Sequence, residues 1–244
     1  MRELSARRVV DSVRRGSSWP VIVETEDGLR FTKLRGAAQG TGALVAEIIV
    51  GGLAEAIGLH VPARSLIRLP AEIESADRHE ELRDLLRASV GLNLGFDHLK
   101  GAVDLKPEET ARLSADEASQ IVWLDGLVMN PDRTARNPNI LCWHDSYWLI
   151  DHGAALGFQH RWSAVTEDSP RRNSAHDHLL AARATRLAEW DPILAAKLTR
   201  EVVESTVAAV PDDFLAPLAT DIPRRRAAYA AFLWKRLKAP RPWI

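Results

Sequence analysis

Pro131 constrains this chain more than any other residue. It follows a segment, Ser114 to Met129, in which Ser114 and Glu117 form a capping box and Ala118, Ile121, Val122, Leu124 and Val128 share an apolar face. A residue ahead of proline is pushed out of helical angles, so this helix has to stop before Pro131. The stretch from Asn130 to Asn139 is then too polar to enter a core and reads as a loop. Two short apolar strands follow, Ile140 to His144 and Tyr147 to Asp151, turned by Asp145 and Ser146. Asp151, His152 and Gly153 come at their end. A polar loop held between a buried helix and an apolar hairpin gathers its carboxylate, amides and guanidinium groups at one end of a scaffold.

The first third is strand-rich. Arg7 to Arg14, Val21 to Thr25 and Leu29 to Leu34 read as strands; Gly16, Ser17 and Ser18 break the first from the second, and Glu26, Asp27 and Gly28 turn a hairpin. A regular third strand puts Leu29, Phe31 and Lys33 on one face, which turns a lysine inward beside two apolar residues. After a glycine-bearing connection (36 to 42), Ala43 to Ile57 reads as a helix closed by Gly58. Its Gly51-Gly52 pair implies close packing against something. Val61 to Ile67 predicts a further strand and Asp77 to Ser89 a polar helix. Residues 91 to 113 read as irregular. Asp177 to Trp190, Pro192 to Val210 and Pro223 to Leu237 predict helices. The expected arrangement is α+β in two lobes: residues 1–90 as N-lobe, 91–113 as connection, 114–244 as a helical C-lobe. Pro240 to Ile244 reads either as a tail folded back on the body, with Trp243 as anchor, or as a partner-binding end.

Composition narrows the classes. Apolar residues are 46% and charged residues 27%, as in ordinary globular chains. Lysine plus arginine number 32 against 33 acidic residues, so no basic excess points to nucleic acid. The one cysteine, Cys142, excludes an internal disulfide or a cysteine zinc cluster. No run of about 18 apolar residues predicts a membrane span and no secretory leader is legible, so the expectation is a cytoplasmic protein with no membrane partner. The weight of Ala, Arg, Leu and Val suggests a GC-rich bacterial source. No Walker lysine, serine-hydrolase elbow or recognised histidine metal spacing is present.

Phosphoryl transfer needs what the loop and hairpin carry: a carboxylate to take a hydroxyl proton, and an amide and a carboxylate to hold magnesium. Each motif alone reads equally as a capped turn; their order and spacing make the case. Asp132-Arg133 with Asn137 five residues after the aspartate, then a hairpin ending in Asp151-His152-Gly153, resembles the HipA-like kinase family and, more distantly, the phosphoinositide kinases.

The resemblance implies a bilobed protein-kinase-like fold, ATP and Mg2+ as cofactors, and a HipA-like kinase whose expected acceptor is a serine or threonine hydroxyl of a protein, with a small or lipid-like molecule as the alternative. It implies Asp132 as the base, Arg133 as loop support grouped with the catalytic set, and Asp151 as metal carboxylate. Asn137 is the amide ligand by spacing, with Asn139 its rival. Gly16, Ser17 and Ser18 would cover the phosphates, Lys33 would reach them, and Glu47 would pair with Lys33. The middle residue of Asp-x-Gly is His152 where ordinary kinases carry phenylalanine. A nucleotide-binding pseudokinase that regulates a partner is the rival reading.

Overall fold

The computed structural model of the chain describes residues 1–13, 19–171 and 177–244. The elements run β1 (Glu3–Ser5), β2 (Arg8–Ser12), β3 (Val21–Thr25), β4 (Gly28–Lys33), α1 (Gly40–Ile57), β5 (Arg64–Leu69), β6 (Glu74–Ser75), α2 (Glu80–Ala88), β7 (Gly91–Asp97) and β8 (Val103–Asp104). Then come α3 (Ala115–Val128), β9 (Ile140–Trp143), β10 (Ser146–Leu149), α4 (Leu187–Lys197), α5 (Arg200–Ala208), α6 (Asp212–Leu215) and α7 (Ile222–Leu237). Strand order is β1-β5-β7-β4-β3-β2-β6 in one seven-stranded sheet and β10-β9-β8 in a three-stranded one.

The β3–β4 hairpin forms where the sequence puts it, with Thr25 opposite Gly28. Phe31 and Lys33 both line the cleft described below. Leu29, expected inward with them, is 41% exposed at the turn end of the hairpin, opposite Glu24. A smaller apolar cluster, including Val21, Val23, Ile67, Leu82 and Leu86, packs α2 on the sheet. The larger cluster surrounds α1 and takes in α3, α5 and α7.

Several sequence expectations need correction. The unanticipated β1 pairs parallel with β5. Residues 91–97, expected to be irregular, form β7 between β5 and β4. Its glycines hid it, yet Gly95 is required there: a Cβ would stand 2.5 Å from Ile67 Cγ1. The β9–β10 turn falls at His144 and Asp145, since Trp143 pairs with Ser146. Both turn residues have positive φ, 46° and 58°, as a two-residue hairpin loop demands. The helix expected from Asp177 starts only at Leu187, because residues 178–186 are drawn onto other elements: Leu179 N–H bonds Arg133 O at 2.9 Å and Arg186 N–H bonds Ser119 Oγ at 3.0 Å. Pro192 lies inside α4 instead of opening a helix.

Helix α1 has the length and apolar composition to cross a bilayer, but 78% of it is buried within the fold, where it serves as the central core helix. It ends at Gly58, whose φ of 96° suits a left-handed cap. The tail does fold back: Trp243 is 5% exposed, meets Trp123 edge-on at 6.1 Å and lies under the Arg236 guanidinium at 4.5 Å.

A Cβ on Gly52 would meet Thr206 Cγ2 of α5 at 2.7 Å. Helix propensity alone favours Gly52→Ala by up to about 1 kcal/mol. Overpacking against a stiff β-branched neighbour reverses the sign, and we expect a net loss of about 1 to 2 kcal/mol in urea unfolding. A stabilised variant would show that α1 and α5 are not in close contact.

Candidate active site

The cleft between the large sheet and the β9–β10 hairpin has a volume of about 950 Å³. Its polar lining includes Lys33, Glu47, Asp132, Asn137, Asn139 and Asp151, and its apolar walls include Phe31, Val61 and Phe96. Residues that lie far apart in sequence are thus brought to one cavity. Gly16, Ser17 and Ser18 fall outside the described residues.

On the sheet side, β4 ends on Lys33, whose Nζ stands 2.5 Å from Glu47 Oε1 on α1 and 2.5 Å from Asp151 Oδ1. Burial pulls the lysine pKa down, but the charges of Glu47 and Asp151 outweigh it and leave it raised. For Glu47, burial pushes the carboxyl up; the Lys33 charge and the His152 hydrogen bond overcome this and hold it well below the usual range. The Glu47 side chain has no exposed surface, whereas that of Asp151 is 40% exposed. Asp151 sits at φ 55°, a left-handed turn that carries the chain out of β10.

The loop side is built from beneath. Met129 caps α3 with φ 56°, and the Asn130 N–H reaches back to Asp125 O at 2.9 Å. Asn130 Nδ2 donates to Asp125 Oδ1 at 2.9 Å, and Asn130 Oδ1 accepts the Asp132 N–H at 3.1 Å. Asp132 Oδ2 in turn accepts from Asn137 Nδ2 at 2.8 Å and Asn139 Nδ2 at 3.3 Å. The carbonyl of Asn139 takes Arg133 Nη1 at 2.5 Å and Ile150 N–H at 3.1 Å. That shared carbonyl sets the loop beside the residue preceding Asp151. The hairpin is moored to the sheet side by Leu149 N–H on His60 O at 2.9 Å.

Arg133, grouped with the catalytic set from sequence, lies beneath the loop with no exposed surface. Its Nε is 2.5 Å from Asp125 Oδ2, so its guanidinium supports the loop from behind. Sequence reasoning missed Asp125, Asn130 and His178. A signal for the first existed: Asp125 interrupts the apolar run Trp123 to Val128. His178 Nε2 lies 2.8 Å from Asp125 Oδ2, and its Nδ1 accepts the Leu180 N–H at 3.0 Å. The imidazole therefore carries its hydrogen on Nε2, toward the carboxylate.

The oxygen donors suit a hard cation such as magnesium: carboxylates and amides, with no sulfur. Asp151 uses Oδ1 on Lys33 and presents a partly exposed carboxylate to the cleft. Among the described residues no three His, Cys, Asp or Glu side chains converge as a complete cage. Phosphate and water oxygens would have to complete such an ion's shell, as magnesium ordinarily requires.

A family model described as HipA-like kinase matches residues 6–215. The chain belongs to the HipA-like kinase family. Among solved structures it is similar to that of a Helicobacter pylori proinflammatory kinase, CtkA, at 11% identity and a TM-score of 0.56, over 97% of this chain and 98% of that one. The fold is accordingly kinase-like. No curated protein sequence matches. Membership of a kinase family supports a kinase-type phosphotransferase.

Burial pushes the Asp125 carboxyl up, yet the Arg133 charge and the His178 hydrogen bond hold it below the usual range. A carboxyl depressed on folding adds stability above its unfolded pKa and loses it as pH falls through the folded one. Asp125→Asn should therefore lower stability by roughly 3 to 5 kcal/mol at neutral pH. It should also flatten the decline in stability below about pH 4. Urea unfolding across pH checks both, and an unchanged acid slope would show that Asp125 is not a buried anion.

Proposed function

We propose that the chain is an ATP- and magnesium-dependent kinase that phosphorylates a serine or threonine hydroxyl on a protein. The observation that carries the reading is the meeting, in one cleft, of a lysine held by two carboxylates and a loop aspartate held by two amides. In this reading residues up to Asp97 form the nucleotide lobe, and the acceptor enters at the loop.

Asp132 takes the proton of the acceptor hydroxyl. The hydroxyl oxygen bonds to the γ-phosphorus as the bond to the β–γ bridging oxygen breaks, and ADP leaves with that electron pair. Lys33 holds the α- and β-phosphates, and Glu47 keeps the ammonium on station. Asp151, with an amide oxygen from Asn137 or Asn139, is the protein's share of the metal shell. Bound magnesium supplies charge neutralisation on the phosphates. The amide hydrogen bonds from Asn137 and Asn139 to Asp132 Oδ2 fix the orientation of the carboxylate that takes the proton. The pseudokinase reading is less well supported, because every polar group the chemistry asks for is present.

Transfer from γ-labelled ATP to generic protein acceptors and to the protein itself tests this. Asp132→Ala should lower transfer by about 10² to 10⁴-fold while nucleotide binding persists. Asp151→Ala should lower both transfer and magnesium-dependent binding. Wild-type binding without transfer to any acceptor would favour the pseudokinase.

A further inference from the structure

We propose that His152 is the positioning residue that holds Glu47, and through it Lys33, ready for nucleotide phosphates; the proposal rests on the phosphotransferase reading of the cleft. Lys33, Glu47, His152 and Asp151 close a ring. Lys33 Nζ meets Glu47 Oε1 and Asp151 Oδ1, each at 2.5 Å, Glu47 Oε2 lies 3.2 Å from His152 Nδ1, and the 151–152 peptide completes the circuit. The ring ties β4, α1 and the segment after β10 to one another.

A carboxylate donates no proton, so the imidazole hydrogen in this contact sits on Nδ1. The other ring nitrogen, Nε2, is buried and has no hydrogen-bond partner among the described residues. His152 is 2% exposed and the Glu47 side chain has no exposed surface, so water does not reach Oε2 while a ring of similar volume fills position 152. An apolar ring at 152, such as ordinary kinases carry in this motif, would leave that oxygen unpaired in the interior, which is costly. Glu47 would then turn both oxygens onto the ammonium and compete with everything else that Lys33 binds.

With the imidazole in place, one oxygen of Glu47 is fixed on each neighbour. The ammonium's second partner is the partly exposed Asp151, on the cleft side. Incoming phosphate oxygens therefore exchange against Asp151, not against Glu47, and the exchange frees the Asp151 carboxylate at the point where a cation is needed. His152 decides which of the two carboxylates lets go of Lys33.

The test compares Mg·ADP affinity in wild type, His152→Phe and His152→Asn, with melting temperatures confirming that each is folded. Asparagine keeps an N–H near the position of Nδ1; phenylalanine keeps only the volume. We expect affinity to fall at least about tenfold in His152→Phe and to stay within about threefold in His152→Asn. In a Glu47→Gln background, His152→Phe should add little to the loss already present. A His152→Phe protein that binds like wild type, an asparagine variant as weak as the phenylalanine one, or additive losses would each overturn the proposal. If wild type bound no Mg·ADP, the phosphotransferase reading would fall. The ring would then stand or fall on the imidazole ¹⁵N spectrum. An Nδ1–H tautomer, protected from exchange, supports it, and an Nε2–H tautomer overturns it.

Discussion

The Asp125 carboxylate, fully enclosed on α3, takes three donor side chains from two separate parts of the chain. Asn130 and Arg133 come from the loop that follows the helix, and His178 from a segment beyond the hairpin. A buried anion is tolerated only when its lone pairs are filled, so these contacts are not interchangeable surface pairs. Asn130 then hands the constraint on to the backbone of Asp132, and Arg133 hands it to the carbonyl of Asn139. The geometry of the loop is thus dictated from below.

The second network, in the cleft, depends on the first. Asn139 O is shared between Arg133 and Ile150 N–H, and Asp151 follows directly in the chain. The attitude of Asp151 toward Lys33 is therefore inherited from the buried set through one carbonyl. The left-handed φ of Asn139 and Asp151, 51° and 55°, marks the two corners where the chain is bent to meet this requirement. Two rigid ends of the cleft are joined in this way without a long connecting segment.

Much of this was legible in the sequence, and the reasons differ from place to place. Ser114 with Glu117, and Pro131 behind Asn130, fixed both ends of α3, because capping and proline sterics are local. Lys33 could be read as inward-facing from its parity with Phe31, while Leu29 on the same face escaped to solvent at a hairpin end, where burial is no longer set by alternation. Strand β7 was not legible, since Gly91 and Gly95 weaken every local signal; Gly91 answers to a φ of 101° and Gly95 to the side chain of Ile67 on the neighbouring strand. His178 was equally hidden: its only cue is a carboxylate 53 positions away, and nothing local marks that pairing.

The central claim is that this cleft receives a nucleotide through a metal ion and Lys33. Calorimetric titration of ATP with magnesium, and again with magnesium chelated, tests it most directly. The account predicts one saturable site per chain that weakens sharply when magnesium is removed and is lost in Lys33→Met. Absence of binding, or binding that ignores both magnesium and Lys33, would contradict it.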